Sequence, residues 1–410
     1  MTSPRFTQSL PVWIKIGLLS FGGPAGQIAL MQDEVVTRRK WVASDSFDRS
    51  LAFSMMLPGP EAQQLATWLG WRIGGVAGGM AAGLAFIVPG AALMILLAWI
   101  AAAYGDVPVI AALFAGVQPV VIALVIAAMS KIAGRALKGP AHWILAAVAF
   151  IAIYLFGVPF PIVVATAAAT GLLLPHADTA AANPTAGRAT WRHAGVTLLI
   201  AAVLIGAVWI LNNAVSTPGP LHEVPVLFTT AALVTFGGAY AVLPFVAAQA
   251  VETYGWLSAA TMLNGLAIAE ATPGPLILVN TYAGFYAGWS TQPDIAAGAY
   301  AAAMATFFTF APSFALILAF APAVERLYDI PWARRALAGV SAAVVGVIAN
   351  LVLYLAEASF LPMGVTQPEW AKIALFVAAL PCVFILKLDM LALVCGGLAA
   401  GLVLHLAGVL

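Results

Sequence analysis

The chain is short of charge. Asp, Glu, Lys and Arg make up 8% of its 410 residues, against roughly a quarter in a water-soluble domain. The formal balance is +1, so a nucleic acid is not an expected partner. Two cysteines, Cys382 and Cys395, stand in apolar stretches near the end. They read as packing residues, since a metal site needs more ligands nearby. The histidines fall mostly at span edges or in loops and make poor proton relays. Neither His-Glu-x-x-His nor Gly-x-Ser-x-Gly occurs, and the acids form no Asp-rich pairs. A membrane enzyme is therefore disfavoured, and no cofactor is expected. Near Arg5 and Lys15 no short apolar run ends in a small-residue cleavage site, so no cleavable signal peptide is expected.

What fills the chain instead is apolar. Hydrophobic residues reach 63% and mean hydropathy is +1.01, which makes this an all-α integral membrane protein, with ~20 residues needed per helical span. Apolar runs mark spans at about 74–103, 108–130, 142–157 and 159–175. A polar linker from His176 to His193 follows, then a span at about 194–212. Further spans lie at about 296–322, 335–356, 369–386 and 388–408.

The chain repeats itself. Ser20-Phe21-Gly22-Gly23 returns as Thr235-Phe236-Gly237-Gly238, Pro58-Gly59-Pro60 as Pro273-Gly274-Pro275, and Trp41 as Trp256, all at an offset of 215. After an 8-residue insertion, Asp106, Pro108, Gly116 and Val117 meet Asp329, Pro331, Gly339 and Val340 at an offset of 223. This predicts a first membrane repeat over 1–175, a linker with an unpaired span over 176–223, and a second repeat over 224–410. Gly-Gly weakens a helix and Pro costs about 3 kcal/mol inside one. Each motif therefore reads as two half-helices or a re-entrant hairpin, in elements at about 11–31, 47–72, 226–250 and 262–289. Ordinary Pro or Gly kinks are the plainer alternative.

Lys and Arg set the orientation. Arg38, Arg39 and Lys40, and then Lys131, Arg135 and Lys138, occupy loops of the first copy whose equivalents in the second carry none. Arg326, Arg334 and Arg335 show the converse bias, and Lys372 fits less well. The copies should thus be inverted, in some nine to eleven spans, with a cytoplasmic N-terminus in the inner membrane. Broken helices at matching places in two halves are the best sequence pointer to a transport site.

A helix N-terminus offers unpaired N–H groups and about +0.5 charge, suited to a small anion. The candidate substrate-binding set is Phe21, Gly22, Gly23, Gln27, Pro58, Gly59, Pro60, Gln64, Phe236, Gly237, Gly238, Pro273, Gly274, Pro275 and Asn280. Its glycines would admit close backbone approach, or simply pack helices closely. Its amides would donate to an oxyanion, or cap the broken ends. Lys15 either supplies positive charge to an anion path or snorkels to the surface. Glu270, Glu61 and Glu34 are the candidate proton carriers, with Glu34 expected to be solvated beside its charged loop. A cation site would want carboxylates converging from both halves, for which only Glu61 and Glu270 serve, at unequal positions.

At these motifs the chain resembles the chromate ion transporter (CHR) family, in its long two-domain form. The resemblance runs through Lys15-Ile16-Gly17, Ser20-Phe21-Gly22-Gly23-Pro24, Gln27, Glu34, Trp41, and Leu57-Pro58-Gly59-Pro60 with Gln64 and Gly70. It continues through Thr235-Phe236-Gly237-Gly238, Leu243-Pro244, Gly255-Trp256 and Glu270-Ala271-Thr272-Pro273-Gly274-Pro275. It implies export of chromate from the cytoplasm and chromate resistance, driven by the membrane potential or a proton gradient. Sulfate is the natural look-alike. With the cytoplasm negative, an outward-moving dianion gains roughly 4.6 kcal/mol per 100 mV, twice the single-charge value. A transporter of another small anion or of a cation is the rival reading. The sequence leaves a homodimer open.

Overall fold

A computed structural model describes residues 6–21, 23–173, 188–217, 219–236, 238–324 and 330–409. The described residues are helical, with no strand among them. The first part runs α1 (Phe6–Leu19), α2 (Gly23–Met31), α3 (Ser44–Ser54), α4 (Glu61–Tyr104), α5 (Pro108–Ala136), α6 (Pro140–Phe156) and α7 (Phe160–Leu173). Helix α8 (Arg188–Val215) connects to α9 (Pro220–Val234), α10 (Ala239–Ala247), α11 (Ala259–Ala271), α12 (Val279–Thr291), α13 (Ile295–Phe320), α14 (Pro331–Phe360), α15 (Trp370–Phe384) and α16 (Met390–Leu406). Five helices, α4, α5, α8, α13 and α14, are long and apolar enough to cross a membrane, and α6, α7, α9, α15 and α16 are shorter apolar helices. Large apolar side chains such as Phe156, Leu173, Leu199 and Ile210 stay exposed, as a lipid-facing surface requires.

Local chemistry explains the boundaries. Pro108, Pro140, Pro220 and Pro331 each start a helix, where the missing N–H is not needed. Asp294 and Asp389 cap α13 and α16 by accepting the first amides. Glycine ends the first half of α4. Gly75 takes φ +62°, and segments 61–73 and 76–104 fold back on each other. A Cβ on Gly70 would lie 2.4 Å from the Gly78 carbonyl oxygen, which no continuous helix permits at that separation. We call the two segments α4a and α4b; the sequence places this boundary at 72–74.

Several backbone details recur at the 215-residue offset. Each short helix after a Phe-Gly-Gly motif runs into a π-helical turn, Gln32–Arg38 or Ala248–Thr253. Each turn closes with a Trp amide donating six residues back, Trp41 to Val35 (2.9 Å) and Trp256 to Ala250 (2.8 Å). The residue before each Trp is left-handed: Lys40 at φ 53° and Gly255 at φ 63°.

The two parts interlock. Helix α5 packs on α15 and α16 of the second part, while α14 packs on α6 and α7 of the first. Glycine makes both contacts close: Gly116 meets Gly397 and Gly401, and Gly339 meets Gly171. Helix α8 sits at the edge, tied to α13 by the Tyr300 hydroxyl donating to Asn212 Oδ1 at 3.0 Å.

Candidate functional site

Four backbone interruptions meet at the centre of this arrangement, and they meet crosswise. The Gly59 amide, between two prolines, donates to the Thr235 carbonyl at 2.8 Å. The matching Gly274 amide donates to the Ser20 carbonyl at 3.0 Å. Each Pro-Gly-Pro motif thus satisfies the Phe-Gly-Gly break of the opposite part, so backbone freed from helices does not go unpaired in an apolar interior. The local conformations need glycine: Gly59 has φ +119° and Gly274 φ +102°.

Buried polar side chains brace the crossing. Gln27 donates its amide hydrogens to the Gly274 carbonyl (2.7 Å) and the Ser20 carbonyl (3.3 Å), clasping both partners of one cross-bond. Gln64 donates to the Pro58 carbonyl at 2.8 Å. Asn280 donates to Thr309 Oγ1 at 3.2 Å. Gln27 thus commits both amide hydrogens to protein, and Gln64 and Asn280 commit one each, as in the capping alternative. The carboxamide oxygens of all three residues are buried without a partner. A further chain links Ser313 to Gln63 (2.6 Å) and Gln63 to Thr67 (2.8 Å).

A cavity of about 1720 Å³ opens onto this crossing. Its floor includes Gly23 and Pro24 at the start of α2, Gly59 and Glu61 at the start of α4a, and Gly238, Ala239 and Tyr240 at the start of α10. The starts of three helices therefore line one space, and helix N-termini carry unpaired amides and partial positive charge. Its wall carries Lys131 and Arg135 from the end of α5, Lys138 just after it, Arg334 from α14, and Lys387 before α16, against Asp389 and Glu61. Low-dielectric walls lined by one sign of charge raise the local concentration of the opposite ion.

The other expected residues are spread around this floor. Pro60 is buried, Pro58 half-buried and Phe236 half-buried, while Phe21 is exposed. Pro273, Gly274 and Pro275 are buried behind the floor, with Gly274 against Leu278 and Gly90. Gly22 and Gly237 lie outside the described residues. Glu270 is buried at the end of α11 and accepts a hydrogen bond from the Tyr240 hydroxyl. Glu61 points at α10, where a Cβ on Gly238 would stand 3.2 Å from Glu61 Oε1.

Glu34 departs from expectation. It is 1% exposed rather than solvated, and Lys15 (2.7 Å), Arg39 and Arg38 (3.7 Å) surround its carboxylate. The Lys15 hydrogen bond, with help from Arg39, holds its pKa below the usual carboxylate range against the opposing effect of burial. Glu34 is thus an anion pinned among cations, and the Lys15 charge is engaged there rather than in the cavity. Conversely, Tyr240, Ser313 and the basic wall are functional candidates the sequence reading passed over. The loop cations carried a signal, since both parts place them after or before a matching span, but it reads as orientation alone. Among the described residues no cluster of metal-ligating side chains occurs.

Comparison with known proteins agrees with a transporter. The family model described as "Chromate transporter" matches residues 7–172 and 222–402. The chain is 33% identical over 369 residues to a chromate transport protein of Pseudomonas aeruginosa, covering 86% of this chain and 81% of that one. It is 26% identical over 411 residues to a chromate transport protein of Cupriavidus metallidurans, covering 98% and 95%. An uncharacterized transporter of Bacillus subtilis, YwrA, matches at 36% over 121 residues, 30% of this chain and 68% of its own length. No solved structure matches.

Proposed function

This chain belongs to the chromate transporter family, and from that premise we propose that it exports chromate, or a like tetrahedral dianion such as sulfate, across the cytoplasmic membrane. The observation that carries the reading is the cavity floor, where the starts of α2, α4a and α10 converge beneath a basic wall. Helix N-termini bind anions through backbone amides without a fixed countercharge, which leaves the ion free to depart. The wall cations gather a dianion from bulk and the floor receives it.

The two parts, 1–175 and 224–410, act as inverted repeats joined through the linker and α8. Support comes from the crosswise amide bonds of Gly59 and Gly274 and from the reciprocal packing of α5 and α14. The four interruptions are re-entrant half-helices around one central site, lined by the glycines of the two motif pairs. The cavity side, bearing Lys131, Arg135, Lys138 and Arg334, is cytoplasmic by the positive-inside rule, and the N-terminus lies on that side. The membrane potential then suffices to drive a dianion outward, worth roughly 4.6 kcal/mol per 100 mV.

The test is uptake of radiolabelled chromate into inside-out vesicles, with potential and pH gradient imposed independently and sulfate as competitor. Potential-driven accumulation blocked by sulfate is the expected result. No accumulation under either gradient, with intact protein in the membrane, would overturn the assignment.

A further inference from the structure

The floor of the cavity already holds a carboxyl group of its own. Glu61 is the first residue of α4a, directly after Pro60, and its carboxyl lies against Gly238 at the start of α10. It therefore sits between two helix N-termini contributed by opposite parts of the chain, one after a Pro-Gly-Pro motif and one after a Phe-Gly-Gly motif. That is the place where the proposed function puts the oxyanion. No salt bridge engages Glu61 among the described residues, whereas Glu34 has three cations within 4 Å. A carboxylate so placed has the amide ends of helices as its favourable surroundings.

We propose that the Glu61 carboxylate is a tethered stand-in for the substrate: ionised Glu61 and the oxyanion compete for the same helix ends, so substrate binds when Glu61 takes up a proton. The inference rests on the oxyanion reading of the site and assigns its coupling residue. The proton comes from water in the cavity, which reaches Glu61 directly. Two like charges cannot share a small poorly hydrated site, and protonation of the carboxyl removes the repulsion. The other titratable or charged groups facing this space are the wall cations, Tyr240 of α10, His142 at the start of α6, and Asp389, with Glu270 of α11 behind Tyr240. The wall cations attract both competitors and so do not choose between them. Tyr240 is committed as donor to Glu270, which leaves Glu61 as the acid that contacts the cavity floor itself.

Competition of this kind has a defined signature. Where Glu61 is ionised, each unit of pH should weaken chromate binding by about tenfold, because one proton is taken up per ion bound. Equilibrium binding of chromate to the purified full-length protein in lipid nanodiscs measures this, at alkaline pH where chromate itself remains a dianion. Wild type should lose affinity with rising pH, Glu61→Gln should bind with little pH dependence, and Glu61→Asp should restore the slope. Size-exclusion behaviour checks that each variant is folded. A Glu61→Gln protein that binds chromate with the wild-type slope overturns the inference and leaves the transport reading standing. So does a wild type with no slope. A wild type that binds neither chromate nor sulfate overturns both.

Discussion

Gly59 and Gly274 occupy matching places, yet alanine should not be tolerated equally at the two. Both have φ above +100°, so a side chain at either costs about 1–3 kcal/mol in backbone strain. The surroundings differ. At Gly59 a Cβ would fall 2.8 Å from Ser313 Oγ, 2.9 Å from Ser313 Cβ and 2.9 Å from Gln64 Nε2. Ser313 is held by Gln63 and Gln64 by the Pro58 carbonyl, so neither yields freely, and overpacking adds another ~1–3 kcal/mol. At Gly274 the near atom is Leu278 Cδ1 at 2.8 Å, the tip of a flexible side chain, and the next is 3.6 Å away. Gly59→Ala should therefore lose ~2–6 kcal/mol and Gly274→Ala ~1–3 kcal/mol. Thermal unfolding in detergent, paired with chromate transport in vesicles, reads both. Equal loss at the two positions would refute the argument, as would a wild-type Gly59→Ala.

Four smaller tests follow from the same contacts. Gln27→Leu strips the donor from the Gly274 carbonyl, while the Ser20 carbonyl keeps the Gly274 amide, and should cost about 1–3 kcal/mol for the one orphaned group, measured as a fall in melting temperature. Lys40→Gly should stabilise by up to ~1 kcal/mol, because the second part already uses Gly255 at this left-handed position and the strain relieved exceeds the entropy lost. Glu34 has a lowered folded pKa, so its contribution is present above the ordinary carboxylate value of about 4.3 and disappears as pH falls through the lowered one; Glu34→Gln should abolish that acid limb in a stability-versus-pH curve. Replacing Lys131, Arg135 and Lys138 together by Gln should raise the apparent KM for chromate and flatten its salt dependence, as loss of electrostatic gathering requires.

Breaks were the legible part of this protein. Glycine and proline act on their own backbone, so the four interruptions and most helix limits can be read without knowing what packs where. Expected spans at 108–130 and 296–322, for instance, correspond to Pro108–Ala136 and Ile295–Phe320. Contacts between distant segments were not legible. Nothing local says that Gly59 pairs with Thr235 rather than with its own neighbours, or that Lys15 reaches Glu34. The gathering of loop cations into a cavity wall was not legible for a related reason. A cation in a loop carries the same orientation signal whether it faces bulk water or a cavity, and only the packing of α5 against α15 and α16 distinguishes the two.

Matched positions in unequal surroundings make the two faces of one frame chemically different. Gly59 stands at the open floor while Gly274 is closed off behind it. If the two parts act as the inverted repeats proposed above, an opposite-facing state would exchange these roles and uncover Gly274. There the residue matching Glu61 is Leu276, 215 positions on, which can neither ionise nor hold a proton. The acid would then challenge the bound ion on one side of the membrane only, and the other side would be a plain exit. The gradients would still set which way the ion flows; this single unmatched pair of residues would make affinity and its pH dependence differ between the two faces of an otherwise nearly even-handed frame.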